Sequence, residues 1–176
     1  MKIYITDLEA YNNGHLVGAW YTLPMSEEEL AKAVVNELQK GEELCNTHNS
    51  HEEYFITDYE CDYMKIEQYD SIYKLNDIAQ QIEALTQKEV SAVKIMLDNY
   101  IVNDIKDAIE NIDNMICTNE LKMEDIAYNY LQESGVMKNL SESLHRYFDY
   151  EAFGRDMQMD GNYYMDDEEI IWEYVG

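Results

Sequence analysis

The chain has 176 residues, 46% of them hydrophobic and 12% aromatic, which supplies a packed core and excludes a disordered acidic tail. Its 37 acidic residues against 12 basic ones give a formal charge of −25 and a pI near 4.2. Such a field repels DNA, RNA and anionic membranes and attracts basic surfaces, so direct nucleic-acid binding and membrane binding are excluded as functions. A solubility adaptation such as halophily is the plain alternative, but Ile, Met and Tyr are abundant and the acids are unevenly spread. Cys45, Cys61 and Cys117 are odd in number and show no framework spacing, so no disulfide is expected. The N-terminus lacks a signal-peptide pattern and no apolar run is long enough to span a membrane. A soluble cytoplasmic protein is the expectation.

Residues 2–6, KIYIT, alternate and are β-branched or aromatic, and after the turn at Asn12-Asn13-Gly14 residues 15–22 read as a second, antiparallel strand. Beyond Pro24, Ser26 with Glu29 forms a capping box for a helix with Leu30, Val34 and Leu38 on one face, stopped by Gly41. Tyr54 to Glu60 reads as a third strand. Asn76 is placed to cap a helix carrying Ile78, Ala79, Ile82 and Leu85, and Thr86 with Glu89 opens another carrying Val90, Val93 and Leu97. A helix over about residues 100–116 follows, its Ile101, Ile105, Ala108, Ile109, Ile112 and Ile116 forming an apolar stripe with Asp104, Asp107, Glu110 and Asp113 opposite. Another runs from about Met123 to Ser134, with Gly135 as its stop, and Asn139 with Glu142 caps the next. Residues 157–175 look like strands around an Asp160-Gly161 turn.

The predicted fold class is α+β in three small domains: 1–61, a small antiparallel sheet plus helix; 62–103, a bundle of short helices; and 104–176, helices plus a small antiparallel sheet. Net charge is concentrated at the two ends. Residues 147–173 alone hold Asp149, Glu151, Asp156, Asp160, Asp166, Asp167, Glu168, Glu169 and Glu173 against Arg155, set among Tyr147, Phe148, Tyr150, Phe153, Tyr163, Tyr164 and Trp172. So many rings mark folded acid rather than a solvated tail. Trp20, Tyr54, Phe153 and Trp172 are the expected structural anchors.

Cys45, His48 and His51, with Cys61 nearby, have the ligand types of a zinc site, but they share one polar loop rather than paired knuckles, and no metal is expected. Asp156-x-Gln158-x-Asp160, with Asp167 at the twelfth position, begins like a calcium loop, but Gln158 and Asp167 stand where stronger ligands belong, and a hairpin turn is the simpler reading. No nucleophile-elbow, zinc-protease, dinucleotide or Walker pattern occurs. His145 and Arg146 read as helix-end residues satisfying carbonyls. Neither a catalytic residue nor a cofactor is expected.

Duplex DNA carries one negative charge per ~1.7 Å, so −25 corresponds to about 42 Å, or about 12 base pairs. Carboxylates on rigid elements, namely Asp104, Asp107, Glu110, Asp113, Asp149, Glu151, Asp156, Asp160, Asp166, Asp167, Glu168 and Glu169, are the candidate partner-binding residues. The segments Lys2 to Leu8, Ala10 to Gly14, Gly18-Ala19-Trp20, Leu23-Pro24, Glu53 to Asp58 and Tyr147 to Asp156 resemble the ArdA antirestriction proteins of conjugative plasmids and transposons. That resemblance implies an elongated homodimeric DNA mimic that occupies the DNA-binding site of type I restriction-modification enzymes. It also implies an antirestriction motif near the dimer contact, matched here at about residues 126–140, where Tyr128, Tyr130, Leu131 and Val136 are the expected dimer contacts. An acidic adaptor for another basic protein, or less readily a carboxylate enzyme, is the alternative.

Overall fold

Lys2–Asp7 forms β1, the strand on which the first half of the chain is assembled. The computed structural model describes residues 1–46 and 50–176, apart from the side chains of Asn139 and Glu142, so the expected Asn139–Glu142 cap lies outside the described residues. β1 is flanked on both sides by antiparallel partners, β2 (Gly18–Thr22) and β3 (Tyr54–Glu60), with Tyr4 opposite Trp20 and Ile5 opposite Ile56. Ile3 and Ile5 alternate with Tyr4, and both are wholly buried. They join Leu23, Leu30, Ile56, Ile66, Ile72, Leu75 and Ala79 in one core. Each of the isoleucine and leucine side chains contributes about 2 kcal/mol by leaving water. Trp20 and Tyr54 are the weaker anchors: Trp20 is 43% exposed with its ring edge-on to Tyr4, while Tyr54 packs half-buried at the core's margin.

A short helix, α1 (Leu8–Asn12), interrupts the turn expected between the first two strands, because the buried Asp7 carboxylate accepts from Ala10 N–H and so caps it. α2 (Glu27–Cys45) opens with the expected capping box: Glu29 N–H donates to the Ser26 hydroxyl oxygen, and Ser26 donates in return to the Glu29 carboxylate. Those returning hydrogen bonds hold the Glu29 carboxyl below its ordinary value. The helix does not stop at Gly41 but runs four residues further, to Cys45. α3 (Ile72–Glu83) starts earlier than expected, because Ser71 and not Asn76 caps it. Asn76 is instead buried inside the helix, where its amide accepts from Met25 N–H at 2.9 Å and donates to Met25 C=O at 3.0 Å. A side-chain amide thus replaces a backbone pair and ties α3 to the start of α2.

The chain divides into two compact units, Met1–Thr86 and Gln87–Gly176. A separate central domain is expected from the sequence, whereas α3 contributes Ile72, Leu75 and Ala79 to the core of the first unit and the next helix lies in the second.

In the second unit, α4 (Gln87–Asp98) opens directly after Thr86 and buries Ala92, Val93, Ile95 and Met96. The single helix expected over 100–116 is not formed. Tyr100 adopts φ 55°, and Ile101 N–H reaches Met96 C=O while Tyr100 N–H reaches Leu97 C=O, a left-handed stop that ends α4. Asp104 then caps a new, short α5 (Ile105–Glu110), a 3-10 turn follows at Ile112–Asn114, and Met115–Cys117 becomes a strand, β4. Ile116, an expected core residue, is accordingly 47% exposed, because strand geometry turns it to the other side of the chain from buried Met115. α6 (Met123–Glu133), the one-turn α7 (Glu142–His145) and α8 (Tyr150–Met159) come next. α6 packs on α8, whose Gly154 permits the approach: a Cβ there would meet Met123 C=O at 2.5 Å. The strands expected over 157–175 begin later, since α8 persists to Met159. They are β5 (Tyr163–Met165) and β6 (Ile171–Tyr174), with β6 central in the order β4-β6-β5. Trp172 on β6 is buried and Phe153 on α8 half-buried, consistent with their anchoring roles.

Candidate acidic interface

The candidate carboxylates sit on three ordered elements of the second unit, and local hydrogen bonding divides them. Asp104 and Asp149 are helix caps, accepting from Asp107 N–H and Ala152 N–H at 2.9 Å each. Asp166 is the most engaged. It accepts from Glu168 N–H, Ile170 N–H and the Trp172 indole N–H at 2.8–2.9 Å, and so organises the tight turn between β5 and β6. With Glu169 in the left-handed region at φ 64°, that turn displays Asp167, Glu168 and Glu169 outward. Asp167 pairs with Lys94 from α4, and Glu110 lies 3.7 Å from Lys106.

Asp113, Glu151, Asp156 and Asp160 are exposed and Asp107 is half-buried. Helical geometry places Asp149, Asp156 and Asp160 within about 40° of one another around α8, a row of charge spanning roughly 16 Å, while Glu151 falls elsewhere. The row predicted on a single long helix is absent: Asp104 precedes α5, and Asp113 follows it in the 3-10 turn. The twelve residues therefore spread over α5 with its cap and the 3-10 turn after it, α8 with its caps, and the β5–β6 turn, rather than converging on one point. Acids also occupy the first turns of α2, α5, α6 and α8, where the helix dipole favours them. Charge displayed here also stabilises the elements that display it.

Acidic runs alone do not reveal the charge of the first unit. It carries 17 acids against 5 cations, a net −12, and the second carries 20 against 7, a net −13. Glu27, Glu28, Glu43, Glu52, Glu53, Asp58 and Glu60 are all exposed. A count per folded unit would have found them.

Two acids of the first unit, Asp7 and Glu37, are buried instead. Asp7 Oδ2 lies 2.5 Å from His51 Nδ1, both side chains being inaccessible to solvent, and Glu9 Oε1 is 3.7 Å from His51 Nε2. His51 N–H donates to Glu42 Oε1. Burial opposes a charged imidazole, but the hydrogen bond to Asp7 and the charges of Asp7, Glu9 and Glu42 outweigh it and raise the His51 pKa. Gly41 exists for this pair, because a Cβ there would lie 1.9 Å from Asp7 Oδ2. That explains why a glycine tolerates the interior of α2 rather than ending it. His51 is thereby committed to Asp7, and His48 of the suggested zinc set lies outside the described residues. Among the described residues no group of three His, Cys, Asp or Glu stands in metal-holding geometry. The calcium-like segment is not a loop, since residues 156–159 belong to α8.

Of the expected dimer contacts, Tyr128, Tyr130 and Val136 are about half exposed, while Leu131 is buried in its own unit. Tyr128 packs on Tyr150, Tyr130 on Phe153 and Phe148 on both α8 rings, giving one aromatic cluster across α6 and α8 with outer edges in solvent. Tyr163 donates to Glu173, and burial, then that carboxylate, pushes its pKa up to about 12, so it stays a neutral hydroxyl.

Ordered carboxylates on small helices and turns, around two small antiparallel sheets, define an acidic α+β protein. The family model described as antirestriction protein (ArdA) matches residues 3–171, and the chain belongs to that family. No curated protein matches the sequence. Family membership supports an antirestriction function, exerted through interaction with restriction enzymes. No helix among the described residues is long and apolar enough to cross a membrane.

Proposed function

We propose that the protein is a DNA mimic that occupies the DNA-binding site of a type I restriction-modification enzyme. It blocks cleavage and so protects incoming mobile-element DNA in the cytoplasm. The observation that carries this reading is that a net charge equivalent to about 12 base pairs is held on folded units at −12 and −13, not on a tail. The protein acts as a homodimer through the exposed aromatic edges of Tyr128 and Tyr130 with Val136, without catalysis and without a cofactor. Binding energy is spread over many carboxylates, each standing for one phosphate among many.

The deciding experiment is competition. The protein is titrated into a type I restriction-modification enzyme bound to labelled duplex DNA, at low and at moderate salt. Displacement at near-stoichiometric protein, weakening as salt rises, is expected. A folded dimer that leaves the duplex in place would identify an acidic adaptor for a different basic protein.

A further inference from the structure

On the first unit, residues 16–18 ahead of and entering β2 face the C-terminal half of α2 across an open groove of about 510 Å³, lined by Leu16, Val17, Gly18, Glu37, Lys40, Glu43 and Leu44. Two of its apolar side chains are bare: Leu16 is 67% exposed and Leu44 58%. Its polar side chains are Lys40, Glu43 and Glu37, and the Glu37 carboxylate is only 1% exposed. Glu37 Oε1 is doubly engaged, accepting from the Tyr21 hydroxyl at 2.5 Å and from Lys40 Nζ at 2.6 Å. Glu37 Oε2 is buried and accepts no hydrogen bond among the described residues. A carboxylate oxygen in that state is unfavourable until a donor reaches it. Glu37 and Glu43 with Lys40 leave the groove one negative charge in excess, the complement of one incoming cation.

We propose that this groove receives a single arginine side chain of a partner protein, its aliphatic stem along Leu16 and Leu44 and its guanidinium donating to Glu37 Oε2. Arginine fits better than lysine on two counts. A planar guanidinium is more weakly hydrated and enters a partly apolar site at lower cost, and its fork donates to one oxygen while Lys40 keeps the other. Glu37 would then bridge two cations, one per oxygen, with Glu43 balancing the second. This is a localised, side-chain-specific contact. It differs in kind from a diffuse carboxylate field and does not depend on the DNA-mimic reading.

The test is an amide NMR titration of the full-length protein at constant ionic strength with Nα-acetyl-arginine methylamide, compared with guanidinium chloride and butylammonium. The arginine probe should give saturable shifts confined to residues 16–18 and 37–44, with both simpler cations weaker. Glu37→Gln should weaken it about tenfold, the loss of one charge-assisted hydrogen bond. Leu16→Ser removes stem contact at a position that is 67% exposed, and should weaken it severalfold. Non-saturating shifts spread over α5, α8 and the β5–β6 turn, or unchanged affinity in either variant, would overturn the proposal. Should Glu37→Gln fail to fold, the Leu16→Ser result decides alone.

Discussion

The two units carry nearly the same net charge and use it in opposite ways. Among the described residues, buried polar or charged side chains are confined to the first unit, as Thr6, Asp7, Glu37, His51 and Asn76. In the second, every buried side chain among the described residues is apolar or glycine, and its acids cap helices, organise a turn or face solvent. The first unit is therefore held partly by charge and should respond to pH. The second is held by apolar packing beneath a repulsive shell and should respond to salt. Net charge alone does not tell these apart; the location of each carboxylate does.

The largest effects should come from the two glycines that permit close approach. Gly41→Ala drives a methyl into the buried Asp7–His51 pair and should cost about 3 kcal/mol or more, melting the first unit while second-unit amide signals persist. Gly154→Ala meets the Met123 backbone and should do the reverse, separating α6 from α8. Amide NMR during thermal melting distinguishes the two, and identical residue-by-residue damage would abolish the contrast drawn here.

His51→Ala should be nearly as costly, about 3 kcal/mol, since it leaves Asp7 buried opposite an empty space. The pH dependence has a definite sign. The folded-state pKa of His51 is raised, so its contribution is complete below the unfolded value of about 6.5 and is lost as pH rises through the folded value. Denaturant midpoints of the first unit should fall as pH rises above about 6.5 in the native protein and lose that slope in His51→Ala. An unchanged slope would mean that another group titrates.

Asp166→Ala should cost about 2 kcal/mol by freeing two backbone N–H groups and the Trp172 indole, and it should loosen the β5–β6 turn. Tryptophan fluorescence and amide exchange at Glu168 and Ile170 report it. A smaller gain comes from salt: raising ionic strength screens the exposed carboxylates and should lift the melting temperature, more for the second unit than the first. The smallest effect belongs to single exposed acids. Asp156→Asn or Glu168→Gln should change the competition midpoint less than about threefold, because each removes one charge from many. A single such variant that abolished inhibition while remaining folded would contradict distributed binding.

Strand content and capping were legible where local chemistry acts alone. The alternation of Ile3, Tyr4 and Ile5, the Ser26–Glu29 capping box and the run at Tyr54 to Glu60 each carry their own signal. The helix at 100–116 was misread because isoleucine spacing fits a stripe, whereas the Tyr100 stop and the Asp104 cap depend on which backbone groups become paired. β4 was invisible for a related reason: three residues become a strand only beside β6. The acid-rich character of the surface was evident from composition. The distinct tasks of Asp7, Asp166 and Glu37 were not.

What the sequence by itself determined is the sign and size of the field, the α+β class and the family, since charge is a sum and periodicity and motifs are local. Only the tertiary structure decided which carboxylates are buried, which organise the fold and which remain for a partner. A carboxylate's role is set by the donors that reach it, and for the two buried acids a decisive donor comes from far away in the chain: His51 for Asp7, 44 positions distant, and Tyr21 for Glu37, 16 positions distant.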